Sequence, residues 1–296
     1  MSGASPPPAL PGICLHHWPV PPGAPPACAS VLIVHGLGEH GGRYAALAAD
    51  LNAWGLDVWA HDHHGHGRSA GARGALPTDN HYVADVIALL GQLRLYLPQG
   101  RPLLLLGHSM GGLMAALAVA QHPEAVDGLI LSSPALAVSL SGPQRLLLSV
   151  LPALLPNLRA GNGLDVNGIS HDPATITAYL QDPLVHDRVS ARLAACLARG
   201  GHEVLAAAAG WRVPTLLLVA GADRLVDPRG ARQFAAQAPA AVVTTHVFEA
   251  LFHELFNEAP PDRATVLQAL QAWLQVRGWA TTPESACSSQ NPGLSA

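Results

Sequence analysis

Short, unbroken apolar runs recur along this chain, each followed by a longer stretch with helical spacing, and that alternation constrains the fold more than any other feature. VLIVHG (31–36) precedes YAALAADLNAWG, LDVWAHD (56–62) precedes HYVADVIALLGQLRLYL, and LLLLGHS (103–109) precedes GGLMAALAVAQH. GLILSSP (128–134), TLLLVAG (215–221) and VVTTHVF (242–248) continue the series toward RATVLQALQAWLQVRG. A strand buried on one face alternates apolar with polar residues, whereas one buried on both faces is apolar throughout. Such strands belong to parallel sheets whose connecting helices cover both faces. The expected fold is therefore α/β, a mostly parallel, doubly wound sheet.

The rhythm stops over residues 137–210, where leucine-rich helical stretches run on without a convincing strand. That segment reads as an inserted helical cap between two parts of one core, 13–136 and 211–279. ICLHHW (13–18) reads as a short edge strand, and the proline-rich residues 19–27 read as a loop. Residues 1–12 and 280–296 have the composition of flexible tails. Charged residues make up 12% of the 296 and the net charge is −4, so the chain lacks the basic footprint of a nucleic-acid binder. Cys14, Cys28, Cys196 and Cys287 are scattered without metal-like spacing, which suits a reducing compartment. A Cys14–Cys28 bridge across the proline-rich loop stays open, because spacing alone does not establish one. With neither a signal-peptide pattern nor an apolar run of about 18 residues, the expectation is a soluble, cytoplasmic protein.

Within LLLLGHSMGGLMAALAVA, Gly107-His108-Ser109-Met110-Gly111 matches G-x-S-x-G between a strand and a helix. Small residues on either side let strand and helix crowd together, so that a serine on the strained turn projects from the carboxyl edge of the sheet. Alone, Ser109 could equally be an N-cap for the following helix. A nucleophilic serine, however, needs a base to take its proton and an acid to orient that base. Both are available downstream: Asp223 two residues past TLLLVAG, and His253 just past VVTTHVF. Asp227 competes for the acid's role, but it precedes Pro228 and suits the start of a helix; Asp223 lies nearer the strand end, where the sites of open sheets gather. An oxyanion needs two NH groups, and Met110 and Leu37, the latter between Gly36 and Gly38, are placed to supply them.

HGLGEHGGRY, AHDHHGHGRSAG, GHSMGG, AGADRLVD and FHE follow one another between about residues 31 and 258. In these blocks the chain resembles the monoacylglycerol lipase and lysophospholipase branch of the α/β-hydrolases, serine-aminopeptidase-like hydrolases with an inserted lid. The resemblance implies Ser109 as nucleophile, Asp223 as acid, His253 as base, and Leu37 and Met110 as oxyanion donors. It also implies a lipid-like carboxylic ester as the small-molecule substrate and no metal or organic cofactor. Ala250 stands where that family often has glycine before the catalytic histidine.

His61, His63 and His66 have part of the spacing of a metallo-β-lactamase-like zinc site, but Gly65 occupies the place of its aspartate and no downstream cluster completes the set. Asp62 to Ser69 instead fits D-x-x-G-x-G-x-S, a structural loop, and His108 reads as a packing residue rather than a second base. QRLLLSVLPALLPNL, broken by Pro152 and Pro156, is either buried helix or a lid that makes transient contact with lipid surfaces. An acyltransferase, a peptidase or a non-catalytic ligand-binding protein on the same scaffold are the alternatives to an ester hydrolase.

Overall fold

The computed structural model describes residues 10–138 and 142–281. Most of the two expected tails, and Cys287 with them, lie outside the described residues. In chain order the elements are β1 (Leu15–Trp18), β2 (Ala29–Val34), α1 (Ala45–Ala53), β3 (Leu56–His61), α2 (His81–Tyr96), β4 (Leu103–His108), α3 (Met110–Gln121) and β5 (Gly128–Ser132). There follow α4 (Gly142–Leu154), β6 (Arg159–Gly161), α5 (Pro173–Gln181), β7 (Arg188–Ser190), α6 (Ala191–Ala207), β8 (Thr215–Ala220), α7 (Pro228–Gln237), β9 (Val243–Phe248) and α8 (Pro260–Val276).

Seven strands form one sheet in the order β1-β3-β2-β4-β5-β8-β9, parallel throughout except for β1, which runs antiparallel to β3 at one edge. The strand runs are apolar because both faces are covered. Along β2, Leu32 and Val34 join one buried cluster while Val31 and Ile33 join the other; Leu103 and Leu105 of β4 alternate with Leu104 and Leu106 in the same way. The first cluster is roofed by α2, α3, α6 and α7, the second by α1 and α8. Each fully buried leucine contributes about 1.5–3 kcal/mol relative to exposure. The sheet is held from both sides.

The order also decides where a site can form. From β2 the chain moves outward to β3, then returns to the other side of β2 as β4 and proceeds to β5. Loops leaving β2 and β4 therefore diverge, and a crevice opens at the carboxyl ends of these two strands.

Within 137–210 the structure departs from the sequence expectation in two ways. β6 and β7 pair as a short antiparallel ribbon, with Ala160 opposite Val189, where no strand was expected. Runs of three residues carry too little pattern to be read. α6, expected as part of the cap, instead lies in the core: Leu193, Cys196 and Val204 belong to the first cluster. Its close seating uses Gly201, where a Cβ would collide with the carbonyl of Leu136. Among the described residues no helix is long and apolar enough to cross a membrane.

Candidate active site

Ser109 sits between β4 and α3 with φ 55° and ψ −121°, a conformation strained for a residue with a Cβ. Sequence makes the turn possible. An added Cβ at Gly111 would strike the carbonyl oxygens of Val34 and His35, so only glycine lets α3 begin this close to β2. Ser109 accepts from Ala135 N through its carbonyl (3.0 Å) and donates through its N–H to Ser132 O (3.0 Å), which fixes the turn against the end of β5. No side-chain cap bond forms from Ser109. The N-cap reading therefore does not account for its hydroxyl.

Asp223 and His253 lie in the loops after β8 and β9, and the structure brings them together: His253 Nδ1 is 2.6 Å from Asp223 Oδ2, with side chains 4% and 2% exposed. The other carboxylate oxygen, Oδ1, accepts from Leu225 N (2.8 Å) and Val226 N (3.0 Å). With one oxygen held by backbone, the other is aimed at the imidazole, which orients the ring and leaves Nε2 for proton transfer. Asp227 is the N-cap of α7 and accepts from Arg229 N (3.0 Å) and the Arg229 guanidinium. The carboxylate partner of His253 is Asp223.

Ser133 Oγ donates to His253 O (2.9 Å), so the histidine loop is pinned to the same segment, 133–135, that braces Ser109. His108, next to the serine, has its ring centroid 4.7 Å from that of His253. Burial, then the proximity of His253, pushes His108 down to about 4, so it is neutral at physiological pH and unsuited to be a second base. Met110 is the first residue of α3, so its N–H is among the helix-start donors without an intrahelical acceptor, at the positive end of the helix dipole. Leu37 follows β2 in the facing loop, and a Cβ at Gly36 would come within 3.3 Å of Ser109 Cβ. The loop that carries Leu37 thus passes close to the serine turn, and Met110 follows the serine directly.

The histidine-rich loop takes the structural form. Asp62 Oδ1 accepts from Gly41 N (2.8 Å) and pairs with His16 Nε2 (2.8 Å), Oδ2 accepts from Arg68 N (2.8 Å), and Ser69 Oγ donates to Asp62 O (2.5 Å). His61, His63 and His66 are fully buried and packed with His35 and Tyr82. One grouping that sequence spacing did not suggest is Cys14, His16 and Asp62, whose ligand-type atoms lie within 4.8 Å of one another. The hydrogen bonds of Asp62 already hold that cluster together, and burial, with Asp62 next, raises the Cys14 thiol above its usual value. Cys14 and Cys28 are free thiols, so the bridge left open by sequence is not formed.

A strained serine at the switch point of this sheet, with a buried imidazole–carboxylate pair on the loops after β8 and β9, is the pattern of an α/β-hydrolase. Comparisons with known proteins narrow this. Residues 25–260 match the family described as serine aminopeptidase, S33. The chain belongs to that family. It is 35% identical to a monoacylglycerol lipase of Mycolicibacterium smegmatis, over 82% of this chain and 87% of that protein. Against the Homo sapiens monoglyceride lipase it is also 35% identical, over 87% and 85% respectively. The crystal structure of Paleococcus ferrophilus monoacylglycerol lipase superposes with a TM-score of 0.80 at 32% identity, covering 88% of this chain and 98% of that one.

Proposed function

We propose that the protein hydrolyses carboxylic esters of lipid-like substrates, monoacylglycerols or lysophospholipids, through an acyl-enzyme on Ser109. Ser109 Oγ attacks the ester carbonyl while His253 Nε2 takes its proton, and Asp223 stabilises the imidazolium. Leu37 and Met110 N–H groups receive the oxyanion. Collapse of the tetrahedral adduct breaks the C–O bond, and His253 returns the proton to the departing alcohol. Water, deprotonated by His253, then attacks the acyl carbon; the bond to Ser109 Oγ breaks, His253 returns the proton to the serine, and the fatty acid is released. The observation that carries this reading is the 2.6 Å His253–Asp223 pair at the crevice where Ser109 is strained outward. The names of the relatives support the lipid-ester class.

The cap, in this reading, comprises α4, the β6–β7 ribbon and α5, with α6 counted in the core. A cavity of about 870 Å³ lies between α4 and α6, walled by Leu148, Pro152 and Leu205 and bordered by Arg192 and Arg199. Its lining does not include Ser109 or His253, and Asp79, His202 and Gln233 join the two arginines there, so this cavity lies apart from the reacting centre. On the outer side Leu146 and Leu154 are 70% and 71% exposed, which suits transient contact with a lipid surface. Free Cys14, Cys28 and Cys196 suit action in the cytoplasm.

A series of soluble esters below their micellar concentrations tests the substrate class. Four further methylenes, from four to eight carbons, supply at most about 3 kcal/mol at about 0.8 kcal/mol each. Partial burial and chain ordering reduce that ceiling, and kcat/KM should rise about tenfold and then level off. A steady fall from acetate upward would replace this reading with a short-chain esterase. The family description favours a peptidase as second reading. Turnover of aminoacyl arylamides in preference to these esters would select it, and product analysis with competing alcohols would reveal acyl transfer. Failure to label with a fluorophosphonate would point to a non-catalytic scaffold.

A further inference from the structure

Between the loop bearing Leu37 and the loop bearing His253 runs a buried chain of ion pairs that the ester chemistry does not consume. Arg43, with 11% of its side chain exposed, donates through Nη1 to Glu39 Oε2 (2.5 Å) and to Glu254 Oε1 (2.8 Å), and through Nη2 to Glu254 Oε2 (2.8 Å). Glu39 Oε1 accepts in turn from Gly36 N (2.6 Å), the residue before Leu37, and from Tyr44 Oη (2.8 Å). Glu254 follows His253 directly, and its N–H donates to Ile169 O (2.7 Å). From the cap, the Tyr179 ring of α5 lies over the guanidinium at 4.8 Å.

We propose that Arg43 is a positioning residue: its planar fork fixes the oxyanion loop, through Glu39 and Gly36, relative to the base, through Glu254. The proposal rests on the reading of Ser109, His253 and Leu37 given above. Stability alone does not explain the arrangement. Burying two carboxylates and a guanidinium carries a desolvation cost that well-packed apolar residues would avoid. What the fork adds is direction, because two parallel N–H bonds to one carboxylate set both distance and angle. Burial opposes ionisation of Glu39, yet Arg43 holds its carboxyl below the usual range, so the bonds are charge-assisted. A displacement of about 1 Å between oxyanion donors and base costs about a hundredfold in rate, which makes such a constraint valuable to turnover.

Arg43→Lys keeps the charge and removes the fork; Glu254→Gln keeps the shape and removes one charge. Each variant is assayed on a soluble eight-carbon ester, for affinity toward an alkyl boronic acid that mimics the tetrahedral adduct, and for thermal unfolding. Expected is a fall in kcat of about ten- to a hundredfold for Arg43→Lys and about tenfold for Glu254→Gln, with KM within about twofold. Boronate affinity should fall in parallel with kcat. Wild-type kcat in Arg43→Lys overturns the proposal, as does a loss confined to KM or a loss of kcat with boronate affinity unchanged. If Arg43→Lys does not fold, Glu254→Gln decides by the same criteria. Ser109→Ala, run alongside, separates the two failures: persistent hydrolysis there refutes the nucleophile, whereas an inactive serine variant with native Arg43→Lys refutes only the clamp.

Discussion

Acidification should unfold this protein well before its carboxylates titrate. His35, His61, His63 and His66 are fully buried, and the rings touch one another, with His35–His63 centroids at 4.5 Å and His61–His63 at 4.7 Å. Burial pushes His35 down to about 3 and His61 to about 4, and the neighbouring imidazole of His61 lowers His35 further. His63 and His66 are depressed by the same causes, burial first. Under the serine turn, His108 is brought to about 4. In the unfolded chain each of these groups takes a proton near pH 6.5. At pH 5 the unfolded state therefore binds more protons than the folded one, and stability falls as pH falls. The stabilisation is complete above about pH 6.5 and is withdrawn as pH drops toward the folded values. From pH 7 to pH 5 each group withdraws about 2 kcal/mol, so His35, His61 and His108 together remove about 6 kcal/mol. His63 and His66 act in the same direction. Domains of this kind hold about 5–15 kcal/mol in total, so the loss is a large part of the whole. Urea unfolding at pH 7, 6 and 5 measures it, with an uptake of about three or more protons on unfolding near pH 5. An unfolding free energy that stays level from pH 7 to pH 5 would refute the reasoning.

Ser109→Ala should fold normally and lose on the order of 10⁴-fold or more of ester turnover, checked by steady-state kinetics with circular dichroism; near-native turnover would sink the nucleophile. Asp223→Asn should cut kcat by about 10⁴-fold because His253 loses the partner that orients it, whereas Asp227→Asn should cost less than about 1 kcal/mol, since asparagine caps a helix about as well and the exposed pair with Arg229 is weakened. Reversed severities in parallel kinetic and thermal assays would reassign the acid. Gly111→Ala should destabilise by about 1–3 kcal/mol and depress activity, since the new methyl meets the Val34 and His35 carbonyls; a variant with unchanged melting and turnover would contradict the close approach. Chelation with EDTA should leave turnover unchanged, and loss restored by zinc would overturn the metal-free mechanism.

Features that depend on local pattern are readable from the residues alone. Runs such as LLLLGH are apolar at every position because both faces of the sheet are covered, and that is visible without coordinates. The serine turn was legible because its glycines are forced by collisions within a few residues and with the adjacent strand. Asp223 stands out from Asp227 by its nearness to a strand end, and in the fold its carboxylate lies 2.6 Å from His253 Nδ1. Features that depend on partners distant in the chain emerge only in the folded molecule. From sequence α6 reads as part of the cap because its spacing looks like any leucine-rich helix; its burial comes from packing against α3 and from Gly201 meeting Leu136. β6 and β7 exist as a pair across 26 intervening residues, 162 to 187, and three-residue strands have no periodicity of their own. The Arg43 fork joins residues 211 positions apart, and the histidine cluster gathers His35 from the loop after β2 with His61 at the end of β3 and His63 and His66 just beyond it. Charge and imidazole chemistry are written in the residue types, but their energies come from desolvation and contact, which exist only once the chain has closed around them.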